Sequence, residues 1–266
     1  MRNLLKSTKY IFLFIVAQCT ATMIYVIFKI KTDSNWVYRL SEIINTNGVK
    51  STEYMAFIGE ICVPMLIIAD IIVLVPILYK CKKDHIQIIK EVPINDICIY
   101  ITIGLLLNLG ISCIVDFLPK TTAVNNYDLL TKSLLGNNFL VIFLSSGILA
   151  PIIEELIFRF LICKTVYGKN IKKGIVISSL LFGIAHMNLI QSTYAFILGM
   201  ILAAIYVKNE YNLLIPIIMH ITINGSSIIY EYFNHKIVLT VGATFVLLVA
   251  IYNCFYNYTK KKNLLR

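Results

Sequence analysis

The chain has 266 residues, 58% of them hydrophobic and 14% charged, with a mean hydropathy of +0.80. Soluble globular proteins carry about 25% charged residues, so this composition excludes a water-soluble domain. Lys plus Arg number 24 against 14 for Asp plus Glu, a formal net charge of +10. In a polar chain that excess would suggest a nucleic-acid partner; here the bases fall between apolar runs and read as topology signals, and no nucleic acid is expected.

Apolar runs of membrane-spanning length recur along the chain, and spans of about 20 residues each suggest about eight of them. In order they are 10–28, 55–79, 97–118, 139–163, 174–187, 193–207, 213–230 and 237–256. The first follows Arg2, Lys6 and Lys9 as a signal peptide would, but it runs on to Phe28 and Lys29 without a small-residue cleavage pattern and is kept as a span. Assigning the bases to alternate sides places 16 on one side and 7 on the other, with Arg159 inside a span. Basic loops stay cytoplasmic, so both termini are expected in the cytoplasm and the loop from about 31 to 53 outside.

The expected fold is therefore all-α, a polytopic membrane bundle without a soluble domain. Its parts are N-terminal helices 1–3 over residues 1–118, an external loop at 119–138, a helical core at 139–230, and a last helix with a basic tail at 231–266. Short connections at 188–192 and 208–212 make the later helices antiparallel neighbours. Gly199 and Ala203 form a small-xxx-small pair suited to close helix contact. The seven cysteines are scattered and form no CxxC pair, so they read as small hydrophobes, not as a disulfide framework or a thiolate zinc site.

Charged side chains at membrane depth are expensive, and three fall within six residues in Pro151-Ile-Ile-Glu-Glu-Leu-Ile-Phe-Arg159. On a helix Glu155 and Arg159 are four apart, acid before base, and face each other as a pair. Glu154 points about 100° away and has no local cation, which frees it to act as a general base. His85 and His235 fall in loops and read as solvated. His186 follows Phe182 by one turn, and Asn224 follows His220 by one turn, so each pair shares a helical face. Counting residues from the basic end places Glu154, His186 and His220 about 12 to 18 Å deep at 1.5 Å per residue, in one layer. A carboxylate, two imidazoles and an amide converging there are the parts for attack of water on a carbonyl.

EExxxR at Glu154, Glu155 and Arg159, FxxxH at Phe182 and His186, and HxxxN at His220 and Asn224, in that order, resemble the CPBP (Abi) family of intramembrane proteases. That family includes the type II CAAX prenyl endopeptidases and bacterial relatives linked to bacteriocin self-immunity. The resemblance covers about 139–230. It implies that Glu154 and His186 activate a water, that His220 and Asn224 stabilise the tetrahedral oxyanion, and that Glu155, Arg159 and Phe182 are positioning residues. It leaves the metal open: no HExxH is present, yet Glu154, His186 and His220 are a donor set for Zn²⁺ with a position left for water.

The function expected is an endopeptidase that cleaves a membrane-embedded or lipid-anchored peptide, in a multi-pass protein of a bacterial plasma membrane. Two other classes stand beside it. Glu60, Asp70, Asn108 and Asp116 lie in the second and third spans without motif spacing, as a proton-coupled transporter would require, though no inverted repeat is visible. The other is a catalytically silent immunity or binding protein that keeps the motifs for structure.

Overall fold

A computed structural model describes residues 2–47, 52–135 and 138–233 and the isolated positions 242, 249 and 252. The described residues are helical with short connections: α1 (Arg2–Thr32), α2 (Trp36–Asn47), α3 (Thr52–Lys83), α4 (Ile94–Asp116), α5 (Thr122–Leu135), a composite α6 (Phe139–Val166), α7 (Ile171–Ala185), α8 (Leu189–Lys208) and α9 (Leu214–Tyr232). Five of them, α1, α3, α4, α6 and α8, are long and apolar enough to cross a membrane. The chain is an integral membrane protein. The eighth expected span, 237–256, and the basic tail lie outside the described residues.

The two segments expected as external loops contain helices. Residues 36–47 form α2, which buries Trp36 against Phe57 with ring centroids 5.1 Å apart. Residues 122–135 form α5, which packs on α3 and α8 and buries Val124. Both alternate apolar and polar residues at helical spacing, so a search for continuous apolar runs passes over them.

Small residues set the closest helix approaches. Ala17, Ala21 and Ala69 are buried where α1 meets α3. A Cβ on Gly183 would lie 2.7 Å from the Ser192 carbonyl oxygen, and one on Gly199 would lie 3.1 Å from Ser179 Cα, so α7 and α8 touch backbone to backbone. Ala203, the partner of Gly199 in the small-xxx-small pair, is fully buried. In the same way Gly104 lets α4 approach α9 at Thr222.

The densest packing surrounds α6. Ile153, Leu156, Ile157, Phe158 and Ile162 are almost inaccessible and form one cluster with Phe182, Tyr206 and Leu213 from α7, α8 and the start of α9. At the basic end, the 84–93 connection is clasped to the turn before α9. The Asn212 side chain accepts from Lys90 N at 3.1 Å and donates to Lys90 O at 3.1 Å, while Leu213 N donates to Ile88 O at 2.9 Å.

Candidate active site

Helix α6 is not regular. It opens as an α-helix at Phe139–Ile142, widens to a π-helix at Phe143–Leu149, returns to α over Ala150–Glu155, and widens again over Leu156–Val166. Pro151 supplies one cause, because it has no N–H and its ring crowds the carbonyl four residues back. The wide turn before it is closed by Ala150 N–H, which donates to Ser145 O five residues earlier. π-turns are rare and concentrate at functional sites. Here they flank the six residues that carry Glu154 and Glu155.

Glu155 and Arg159 are both fully buried and paired. Arg159 Nε donates to Glu155 Oε2 at 2.8 Å and Nη2 donates to Oε1 at 3.3 Å. The guanidinium carbon also lies 5.2 Å from the Phe182 ring centroid, a cation–π contact in a water-excluded setting. Glu155 has a second partner from α9: His220 Nδ1 stands 3.0 Å from its Oε1. With Nδ1 donating to the carboxylate, the imidazole turns Nε2 toward Glu154 Oε2 at 3.4 Å. That approach is within ion-pair distance but is not aligned as a hydrogen bond, and Glu154 Oε2 has no hydrogen-bond partner among the described residues. Glu154, without a local cation on its own helix, thus meets its partner from across the bundle.

His186 sits one residue past the end of α7, not within the helix as the expected span 174–187 would have it. It is the C-cap, and Met187 follows at φ 52°. Its Nδ1 is 2.9 Å from Phe182 O, which as a donated bond leaves Nε2 as the free lone pair. The Phe182 ring is the wall both imidazoles share, edge-to-face with His186 at 4.8 Å and with His220 at 5.6 Å. Glu154 and His186 line one cavity of about 70 Å³, together with Phe14 and Gln18 of α1 and Asp70 of α3.

Asn224 is placed differently. It lies one turn beyond His220 on α9, but its Nδ2 donates to Ser146 O in the π-turn of α6 at 3.2 Å. It lines a separate polar cavity of about 140 Å³ with Tyr127, Asp128 and Tyr194. Gly147 and Gly225 make that contact possible, since a Cβ on Gly147 would stand 3.5 Å from Gly225 Cα. One amide hydrogen of Asn224 is used by Ser146, and the other remains available.

The Zn²⁺ donor set does not assemble. Among the described residues no group of three His, Cys, Asp or Glu side chains could hold a metal ion. His220 has both nitrogens turned to carboxylates, and one of these, Glu155, is occupied by Arg159. The transporter-like carboxylates are dispersed. Glu60 and Asp116 are exposed, Asn108 and Asp116 line the polar cavity near Asn224, and Asp70 alone reaches the cavity of Glu154. Gln18 and Asp70 come from helices that carry no motif, so their place in the site has no signature beyond being polar within an apolar run.

A larger apolar cavity of about 740 Å³ lies between α1, α3 and α6, with Lys80 and Lys164 at its basic end. Phe14 lines both this cavity and the small one holding Glu154.

Residues 136–226 match the family model described as Type II CAAX prenyl endopeptidase Rce1-like. Neither a curated protein nor a solved structure matches the chain.

Proposed function

We propose that this chain, whose residues 136–226 match the Rce1-like family model, is an intramembrane endopeptidase acting on a membrane-embedded or lipid-anchored peptide. The observation that carries the reading is the single small cavity onto which Glu154 and His186 open, backed by the buried His220–Glu155–Arg159 chain. On this reading the basic end, with Lys80, Lys82, Lys83, Lys90 and Lys164, faces the cytoplasm of a bacterial cell, because basic loops stay on that side.

A water in the cavity gives its proton to Glu154 as its oxygen attacks the scissile carbonyl, and His186, whose Nε2 keeps a free lone pair, lines the same space. Negative charge then develops on the carbonyl oxygen. His220, held through Nδ1 by Glu155, presents Nε2–H to that charge. Glu155 is the orienting carboxylate, and its ion pair with Arg159 fixes it in place behind His220. Collapse of the intermediate breaks the C–N bond, and Glu154 returns its proton to the leaving amine. No step passes through a metal. The apolar cavity across Phe14 is of a size that takes a drug-sized apolar group, which suits a substrate carrying a hydrophobic anchor.

The test is cleavage of a library of membrane-anchored quenched peptides in liposomes. Wild type cleaves, and Glu154→Gln, which keeps volume but removes the base, folds and binds peptide while losing about 10²-fold or more in turnover. A wild type that cleaves nothing overturns the reading. Ion-coupled flux lost in Glu154→Gln would identify a transporter. Full biological protection by a chain lacking Glu154, His186 and His220 would identify a silent immunity protein.

A further inference from the structure

Asp70 is the buried carboxylate that the mechanism above leaves unused. It lies on α3, outside the matched segment 136–226, and is 2% exposed. Its Oδ2 has no hydrogen-bond partner among the described residues, and no described cation stands within ion-pair distance of it. A carboxylate oxygen so placed is costly unless something donates to it. The cavity it faces supplies the opportunity. The same space of about 70 Å³ is lined by Glu154, whose Oε2 is also without a hydrogen-bond partner, and by His186 and Gln18. A water needs some 10–15 Å³ of such space and two to four polar partners. The site is roomy enough and offers acceptors on opposing helices.

We propose that Asp70 is a catalytic residue that accepts the second hydrogen of the water deprotonated by Glu154, so that α3 and α6 together aim the attacking oxygen. The inference rests on the hydrolytic reading. Its chemistry balances without any further reactant. One O–H bond of the water breaks, with its proton passing to Glu154 and then to the leaving amine. The oxygen forms the new bond to the carbonyl carbon, and the second hydrogen remains on that oxygen, bonded to Asp70, and leaves with the carboxylic acid product. Two acceptors leave a water fewer orientations than one, and the lone pair opposite the two O–H bonds is the one that meets the carbonyl.

The experiment compares wild type, Asp70→Leu, Asp70→Asn and Glu154→Gln on the same quenched peptides, with melting temperature in detergent measured for each. Asp70→Leu removes an unpaired buried carboxylate, so it melts no lower than wild type, yet its kcat falls about 10²-fold at unchanged KM. Asp70→Asn retains an accepting oxygen and falls between the two. This split separates catalysis from packing, because a structural role would lower melting temperature and kcat together. Wild-type kcat in Asp70→Leu beside an inactive Glu154→Gln overturns the inference and leaves the hydrolytic reading standing. If Asp70→Leu does not accumulate, Asp70→Asn decides: wild-type kcat there overturns the inference. Cleavage surviving in Glu154→Gln overturns the hydrolytic reading, and this inference with it.

Discussion

Helices α1 and α6 both have the composition of membrane spans, but they live in different surroundings. In the most apolar stretch of α1 11% of residues are buried inside the protein, against 44% in α6. The faces of α1 turned outward carry Phe12, Met23, Ile27 and Phe28 to the lipid. In α6 the run from Leu156 to Cys163 is buried on every side. Apolarity marks which segments enter a membrane and says little about which of them form the interior. In lipid the hydrophobic effect cannot drive helices together, so the interior is built by close backbone approach and by polar groups that need partners. Those groups concentrate in the half of the chain that contains α6.

The sharpest way to test that contrast is to unpair the interior of α6. Glu155→Ala or Arg159→Ala leaves a fully buried charge without its partner, at an expected cost of about 3 to 5 kcal/mol. Detergent melting of both single variants checks it; one variant as stable as wild type while the other collapses would refute the pairing as the source. A smaller loss follows from Gly183→Ala, whose new Cβ meets the Ser192 carbonyl at 2.7 Å. Forcing α7 and α8 apart costs about 1 to 3 kcal/mol, and the same substitution at Gly110 of α4, which has open space around it, serves as the control that melts like wild type. Next comes Asn212→Ala, which removes the two-way clasp to Lys90 and is expected to cost about 2 kcal/mol. Hydrogen exchange at the 84–93 connection should rise in that variant; unchanged exchange would show that the clasp holds nothing. Smallest is Lys120→Ala, which breaks an exposed ion pair with Asp128 at 2.9 Å and should alter melting by about 0 to 1 kcal/mol.

Much of this architecture was legible in the residues because helical spacing is a local rule. Glu155 to Arg159, Phe182 to His186 and His220 to Asn224 are each one turn apart, and each pair shares a face on that account. Spacing is silent on what a second helix brings. The approach of His220 to both Glu154 and Glu155 spans 65 residues or more, and Asp70 reaches the cavity from a helix with no motif. Equal depth allows Glu154, His186 and His220 to meet, but depth carries no azimuth, and the turn by which Asn224 reaches Ser146 is not readable from it. The helices α2 and α5 were hidden for another reason. Their polar faces break the apolar runs by which spans are recognised, and at 12 and 14 residues they are shorter than a span.

The widened turns of α6 give the helix a phase as well as a path. Along an α-helix each residue advances the direction of its side chain by about 100°, and a π-turn absorbs one residue beyond what that count allows. The stretch 143–149 therefore works as an offset between two registers. Within it Gly147 and the Ser146 carbonyl are set against α9; beyond it Glu154 faces the cavity and Glu155 faces Arg159 and His220. Deleting a single residue there would leave a perfectly good helix, long enough and apolar enough to cross the bilayer, with either the seam to α9 or the two glutamates turned by roughly a quarter of a revolution.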